Sequence, residues 1–327
     1  MTLSRRFSVV SLILALLATS VCPAQPLQEK INRIVAGHRA RIGVAIESPF
    51  ARETAQVGTG TFFPMQSVYK FPIALAVLDR VDRGELALHQ PIRVKRAELR
   101  PHTYSPLRDK YRRGAVVTMP LSEIVQTTLR DSDNNGCDIL LRLAGGPENV
   151  TAYLRKQGIA NMTVATTERA MHGSWDIQFT NRTTPEDANR LLRLFQEGAL
   201  LKPDTHAFLW NAMKHSMVSP ERLRRGLPPK TPFIHKTGTS TAFYRKQGYT
   251  LNDVGIVLLP DGKPVFVSVF VSHGKEPKAV TERMMARIAR TTWEHFTGPD
   301  GAPAASAGFL LQKRKKRPFL ADRRTDR

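Results

Sequence analysis

Cysteine is nearly absent from this 327-residue chain, which holds only Cys22 and Cys137. Cys22 falls in an N-terminal stretch with the marks of an export leader. Removal of that stretch would leave Cys137 alone, and no internal disulfide could form. Stability then has to come from packing, and Cys137, on a helical pattern, reads as a small buried hydrophobe rather than a reactive thiol. Acidic residues are also scarce: 28 Asp and Glu face 49 Lys and Arg, a formal net charge of +21. Such a balance invites a nucleic-acid reading. No aromatic-basic stacking motif, zinc-finger spacing or recognition-helix pattern accompanies it, so no nucleic-acid partner is expected; solubility or attraction to anionic envelope polymers is the preferred account.

The leader spans residues 1–24. Arg5 and Arg6 precede an apolar run from Val9 to Val21, which ends in small or turn-forming residues before Gln25. That run is too short to span a bilayer comfortably, so it reads as a secretory signal cleaved after Ala24, with no stable membrane anchor and a periplasmic or secreted product. Lipidation at Cys22 and twin-arginine export are the alternatives. Val21 is bulky where lipoprotein signals carry Gly, Ala or Ser, and the residues after the arginine pair fit the second signal poorly. The leader carries +2 and residues 313–327 carry +6, leaving +13 for residues 25–312. The tail that opens with Lys313 and Arg314 reads as disordered.

A 41% hydrophobic content over the 327 residues can bury a substantial interior. Residues 28–36 read as a helix, 41–47 alternate like a strand, and 54–63 could pair with that strand. A long, largely buried helix follows Ser67 and ends near Gly84. Helical patterns recur at 120–130, 135–143, 147–157, 185–197 and 203–214, several opening on proline, which the first helical turn tolerates. The period then switches: 231–239, 250–259 and 264–272 read as strands, the last two joined by a turn at 260–263, and 276–296 closes the chain as an amphipathic helix. Strands at both ends around a helical block predict an α+β fold. An antiparallel sheet built from both termini and flanked by helices (about 25–64 and 216–300) meets an all-α lobe (about 65–215), with the cleft at their junction.

Three short motifs carry chemistry. In Ser67-x-x-Lys70 the spacing sets hydroxyl and ammonium on one face of a first helical turn. Alone it could be an N-terminal serine with a solvated lysine, but the apolar run from Phe71 to Leu75 would bury the lysine stem and let its amine share a proton with Ser67. Ser132, Asp133 and Asn134 follow a helical segment, and taken alone they read as a helix cap. Lys236, Thr237 and Gly238 lie on an apolar strand, where glycine admits a close backbone approach and lysine can face a carboxylate; the bland alternative is an edge-strand lysine.

Taken together and in this order, the motifs resemble those of the class A serine β-lactamases and penicillin-binding proteins. The likeness to class A covers nearly all of residues 25–312, with Tyr104-Ser105-Pro106, Gly145-Gly146-Pro147, Thr183-Thr184-Pro185 and Asp253-Val254-Gly255 where that family carries similar elements. It is greatest to the subgroup holding the PER and VEB extended-spectrum enzymes, through the segment from Ser132 to Asp138, Glu168-x-x-Met171-His172 and the segment from His235 to Ser240. The resemblance implies hydrolysis of penicillins and cephalosporins through an acyl-enzyme, without a metal or other cofactor, by a monomer. It implies Ser67 as nucleophile, the amides of Ser67 and Thr239 as oxyanion donors, and Lys70 with Glu168 handling the serine proton, in shares the sequence does not divide. Ser132 would pass a proton to the departing nitrogen. Asn134 would bind the substrate acylamide, Lys236, Thr237, Gly238 and Thr239 the carboxylate strand of the site, and Tyr104 would wall the cleft.

Glu168 separates a hydrolase from a penicillin-binding sensor, which would acylate without turnover, and from a peptidase acting on D-Ala-D-Ala termini. His172 stands where most of the family has an asparagine that helps to hold the water, with a structural loop histidine as the alternative. No Gly-Arg-Gly-like element lies near Arg245 to hold the carboxylate. Arg222 is the replacement candidate; with Arg224 and Arg225 adjacent, a solvated basic cluster is the alternative. Thr166 and Asn181 occupy the places of the Arg/Asp ion pair that commonly pins the loop after Glu168.

Overall fold

The computed structural model describes residues 25–171, 173–240 and 247–298. At its start, α1 (Leu27–Val35) sets Leu27, Ile31 and Ile34 on one buried face at i, i+4 and i+7. β1 (Arg41–Ser48) and β2 (Glu53–Val57) form an antiparallel pair. Phe63, expected to extend that pairing, instead joins β3 (Phe63–Pro64). Gly58 and Gly60, both at positive φ, turn the chain away from the sheet before it arrives.

The helical lobe follows as α2 (Lys70–Asp82), β4 (Pro91–Lys95), α3 (Pro106–Lys110), β5 (Val116–Pro120), α4 (Leu121–Arg130), α5 (Asn134–Ala144), α6 (Pro147–Lys156), β6 (Met162–Thr163), α7 (Glu168–Met171), β7 (Arg182–Thr183), α8 (Pro185–Gln196) and α9 (Pro203–Lys214). Proline opens α3, α6, α8 and α9, where its missing N–H costs nothing. The lobe is mainly helical, with two small additions that the sequence reading left unassigned: β4 pairs with β5, and β3, β7 and β6 form a three-stranded ribbon.

After α10 (Leu223–Gly226), the chain returns as β8 (Phe233–Thr239), β9 (Tyr249–Leu258), β10 (Pro264–Gly274) and α11 (Lys278–Thr297). The sheet runs β2-β1-β10-β9-β8, antiparallel throughout, so both ends of the chain build it. The β9–β10 turn closes with Gly262 at φ +81° and a hydrogen bond from Leu259 N to Lys263 O. β10 shows how the sheet divides the interior. Val265, Val267, Val269 and Val271 face an outer core with α1 and α11, whereas Phe266 and Phe270 join the core of the helical lobe. Among the described residues no helix is long and apolar enough to cross a membrane.

Candidate active site

Ser67 lies in a 3₁₀ turn (Gln66–Tyr69) that runs directly into α2, so its amide sits at the positive end of a long helix. The preceding Gln66 has φ +48°, a strained value for a side chain with a Cβ. Its turn is held from three sides. Asn252 of β9 donates from Nδ2 to Pro64 O and Met65 O at 2.8 and 2.9 Å, and Met65 N donates to Asn181 O at 2.8 Å. From β8, Gly238 packs so closely that an added Cβ would lie 2.5 Å from Met65 O. The glycine therefore gives room to the nucleophile turn of its own chain.

Lys70 lies one helical turn beyond Ser67 and is fully buried. Its Nζ donates to Ser67 Oγ at 3.0 Å, Ser132 O at 2.9 Å, Ser132 Oγ at 3.5 Å and Asn134 Oδ1 at 2.5 Å. It also stands 3.1 Å from Glu168 Oε1. That last contact is out of line for a hydrogen bond, and Oε1 is a buried acceptor that receives no hydrogen bond among the described residues.

The Ser132-Asp133-Asn134 segment both caps a helix and reaches the site. Ser132, at φ +63°, takes the left-handed conformation that ends α4. Asp133 is the N-cap of α5, accepting from Gly136 N at 2.7 Å, and also accepts from Leu107 N and Ser105 Oγ. Burial raises its carboxyl above the ordinary aspartate range, against the pull of those hydrogen bonds. Asn134 opens α5, donating from Nδ2 to Thr103 Oγ1 at 2.8 Å and from its amide to Tyr104 O at 3.1 Å. Tyr104 itself is exposed at the rim.

Lys236 is on β8, the sheet edge, yet it is fully buried rather than solvated. Its Nζ donates to Ser132 Oγ at 2.9 Å and Thr237 O at 3.0 Å. Burial first, and then the charge of Lys70, push this lysine well below its ordinary pKa. Arg222 is buried too, which removes the solvated-cluster reading for this residue: the turn before α10 tucks it behind β8. It donates to Gly238 O and Asn252 O, both at 3.0 Å, and to Thr239 Oγ1 at 2.7 Å. Burial holds its guanidinium below the usual arginine range.

Glu168 begins α7, and two features fix the loop around it. Asp138 of α5 accepts from Glu168 N at 2.7 Å and Arg169 N at 3.0 Å. Burial, and then the charge of Glu168, raise the Asp138 carboxyl to about 6. Asn181 accepts from Ala165 N and Thr166 N at 2.8 and 3.0 Å and donates to Thr166 O at 3.0 Å, so a neutral amide clamp stands where an Arg/Asp pair was missed in the sequence. The sequence reading did not single out Asp138 as functional. Its signal was there, since Asp138 is four residues after Asn134 and so on the same helical face.

His172 and Arg245 lie outside the described residues. The structure brings together Ser67, Lys70, Ser132, Asn134, Glu168 and Lys236, sets Thr237, Gly238 and Thr239 along the β8 wall, and leaves Tyr104 at the rim. Among the described residues no group of three or more His, Cys, Asp or Glu could hold a metal ion. Cys137 is buried, and burial pushes its thiol well above the ordinary range.

The sequence profile of the β-lactamase enzyme family matches residues 26–296. The chain is 37% identical over 269 residues to β-lactamase VEB-1 of Pseudomonas aeruginosa, covering 82% of this chain and 89% of that one. It is 37% identical over 268 residues to the extended-spectrum β-lactamase PER-1 of the same organism, covering 82% and 86%. Among solved structures, a β-lactamase from Chitinophaga pinensis superposes with a TM-score of 0.79 at 39% identity, covering 82% of this chain and 98% of that one.

Proposed function

Since the chain belongs to the β-lactamase enzyme family, as a class A serine β-lactamase that hydrolyses β-lactam antibiotics, we propose the following roles for its residues. Ser67 Oγ attacks the lactam carbonyl, and its proton passes to the Lys70–Glu168 pair. The amides of Ser67 and Thr239 stabilise the oxyanion, an effect on the order of a hundredfold or more per donor. The C–N bond breaks as Ser132 hands a proton to the lactam nitrogen and regains one from the Lys70–Glu168 pair through Lys70 Nζ, which leaves Glu168 ionised for the second half of the reaction. Glu168 then takes a proton from water as it attacks the acyl ester, and Ser67 recovers its proton as the ester C–O bond breaks.

The observation that carries this reading is the convergence on Lys70 Nζ, which has Ser67 Oγ at 3.0 Å, Ser132 Oγ at 3.5 Å and Glu168 Oε1 at 3.1 Å. One buried cation links nucleophile, proton relay and base. Glu168 Oε1, which receives no hydrogen bond among the described residues, supports its use as the acceptor for a nucleophilic water. Asn134 binds the acylamide. Lys236, Thr237, Gly238 and Thr239 bind the substrate carboxylate, with Arg222 supplying charge from behind through Thr239 Oγ1. Tyr104 walls the cleft, and His172 assists the water. The leader of residues 1–24 directs a monomeric β-lactamase domain, residues 25–312, to the periplasm or beyond, where it confers resistance.

Purified residues 25–327, mixed with excess chromogenic cephalosporin and followed by absorbance and intact-protein mass, should give sustained turnover. Ser67→Ala should abolish acylation, and Glu168→Ala should accumulate one acyl adduct per chain. A single stoichiometric burst with a stable adduct in the unmutated protein would overturn the hydrolytic assignment in favour of a penicillin-binding sensor.

A further inference from the structure

Between the nucleophile turn and the loop that carries Glu168 lies a buried polar link with no part in the roles assigned above. Gln66, next to the nucleophile and strained at φ +48°, donates from Nε2 to Gln178 Oε1 at 2.6 Å. Gln178, 1% exposed, belongs to the 3₁₀ turn Asp176–Phe179, in the same loop as Glu168. Its Oε1 also accepts from Thr250 Oγ1 at 3.3 Å, and its Nε2 donates to Trp175 O at 2.9 Å. Thr250 is tied in turn to the end of β8: its amide donates to Ser240 Oγ at 2.8 Å, and Ser240 N donates to Thr250 O at 2.9 Å. One buried amide thus joins three parts of the site: the turn bearing Ser67, the loop bearing Glu168, and the strand pair that follows Lys236-Thr237-Gly238.

We propose that Gln178 is a positioning residue for deacylation, fixing the Glu168 loop against the nucleophile turn through Gln66. The inference rests on the assignment of Glu168 to deacylation. Asp138 and Asn181 hold the loop at its two ends. The loop also meets the nucleophile side through the backbone bond from Met65 N to Asn181 O and the Lys70–Glu168 contact; the Gln66–Gln178 bond adds a buried side-chain tie to the residue next to Ser67, and the distance from Glu168 to the Ser67 ester depends in part on it. A deacylating water must be aligned with both the base and the ester, and misplacement by about an ångström costs on the order of a hundredfold in rate. Acylation is less exposed to the same slip, because Ser67, Lys70 and Ser132 are joined directly within the helical lobe.

The test compares Gln178→Met, Gln66→Met and the double variant, using pre-steady-state acylation and deacylation rates with a chromogenic cephalosporin. Methionine keeps the volume and removes the amide. Each single variant should deacylate about tenfold to a hundredfold more slowly, with acylation nearly unchanged. The kcat and KM should then fall together, leaving kcat/KM in place, and the acyl adduct should be visible by intact mass. The double variant should be no slower than the worse single one, since both remove the same bond. Thr250→Val provides a milder version should a methionine variant fail to fold. Wild-type deacylation in the variants, or an equal loss of acylation and deacylation as expected of general loosening, would overturn the proposal. Rapid deacylation by Glu168→Ala in the same experiment would place the failure in the underlying assignment of Glu168 instead.

Discussion

Asp138 shows how one partly buried carboxylate can hold the loop of Glu168 and cost stability at once. It accepts the amides of Glu168 and Arg169, which favours its ionised form, yet burial and the neighbouring Glu168 charge outweigh those bonds and raise it to about 6. A carboxyl whose folded pKa exceeds its unfolded value binds more protons in the folded state. Its contribution to stability is therefore full below about pH 4 and is lost as pH rises through about 6. The size is about 2–3 kcal/mol for a group that remains partly accessible. Asp138→Asn cannot titrate. Urea unfolding at several values between pH 4 and 7.5 should show the unmutated protein losing about that much stability relative to the variant as pH rises, and parallel profiles would remove the burial argument. Lys236 has the complementary behaviour. Pushed well below the ordinary lysine range by burial and by Lys70, it should lose its charge early in an alkaline titration, so that KM for carboxylate-bearing substrates rises before free lysine would deprotonate; Lys236→Arg should move that rise to higher pH.

At the scale of elements, the loop after Glu168 is pinned by amide geometry rather than by charge. Asn181 makes three hydrogen bonds to loop backbone, two of them fully buried, and its own carbonyl holds Met65. Asn181→Ala leaves those backbone groups unpaired, a loss of about 2–4 kcal/mol, and should slow deacylation more than acylation. Stopped-flow rates beside a thermal melt would measure both. In the sequence, Asn181 could be read only as a missing ion pair, because a side chain that donates and accepts at once reveals its use only when the facing backbone is known. Elements with whole-face patterns were legible: α9 spans Pro203–Lys214 as its proline start and apolar spacing indicate, and the three closing strands fall within two residues of their expected bounds. The β4–β5 pair also alternates, with Ile92, Val94, Val117 and Met119 inward. It escaped notice because twenty residues of charged and turn-forming chain separate two strands of five residues each. The three site motifs were legible as a set. Asp138, Gln178 and Asn252 were not, since each acts through a backbone or side-chain partner brought from far along the chain.

At the scale of the whole molecule, the two cores and the site they frame end with α11 at Thr297, and the family match ends at residue 296. The candidate active-site groups come from residues 67 to 239, while the +6 of residues 313–327 follows in sequence every element that positions them. Residues 313–327 add +6 to the +13 of residues 25–312, and screening limits the reach of an exposed charge to about 8 Å at physiological ionic strength. Catalysis and adhesion should therefore separate. Residues 25–312 should match residues 25–327 in kcat/KM toward a chromogenic cephalosporin and in melting temperature, but should elute from a cation exchanger at lower salt and bind anionic polymer more weakly, because fewer counterions are released when fewer cations engage. A fall in kcat/KM on trimming would mean that the tail reaches the site, and an unchanged elution position would mean that its charges are already neutralised within the protein.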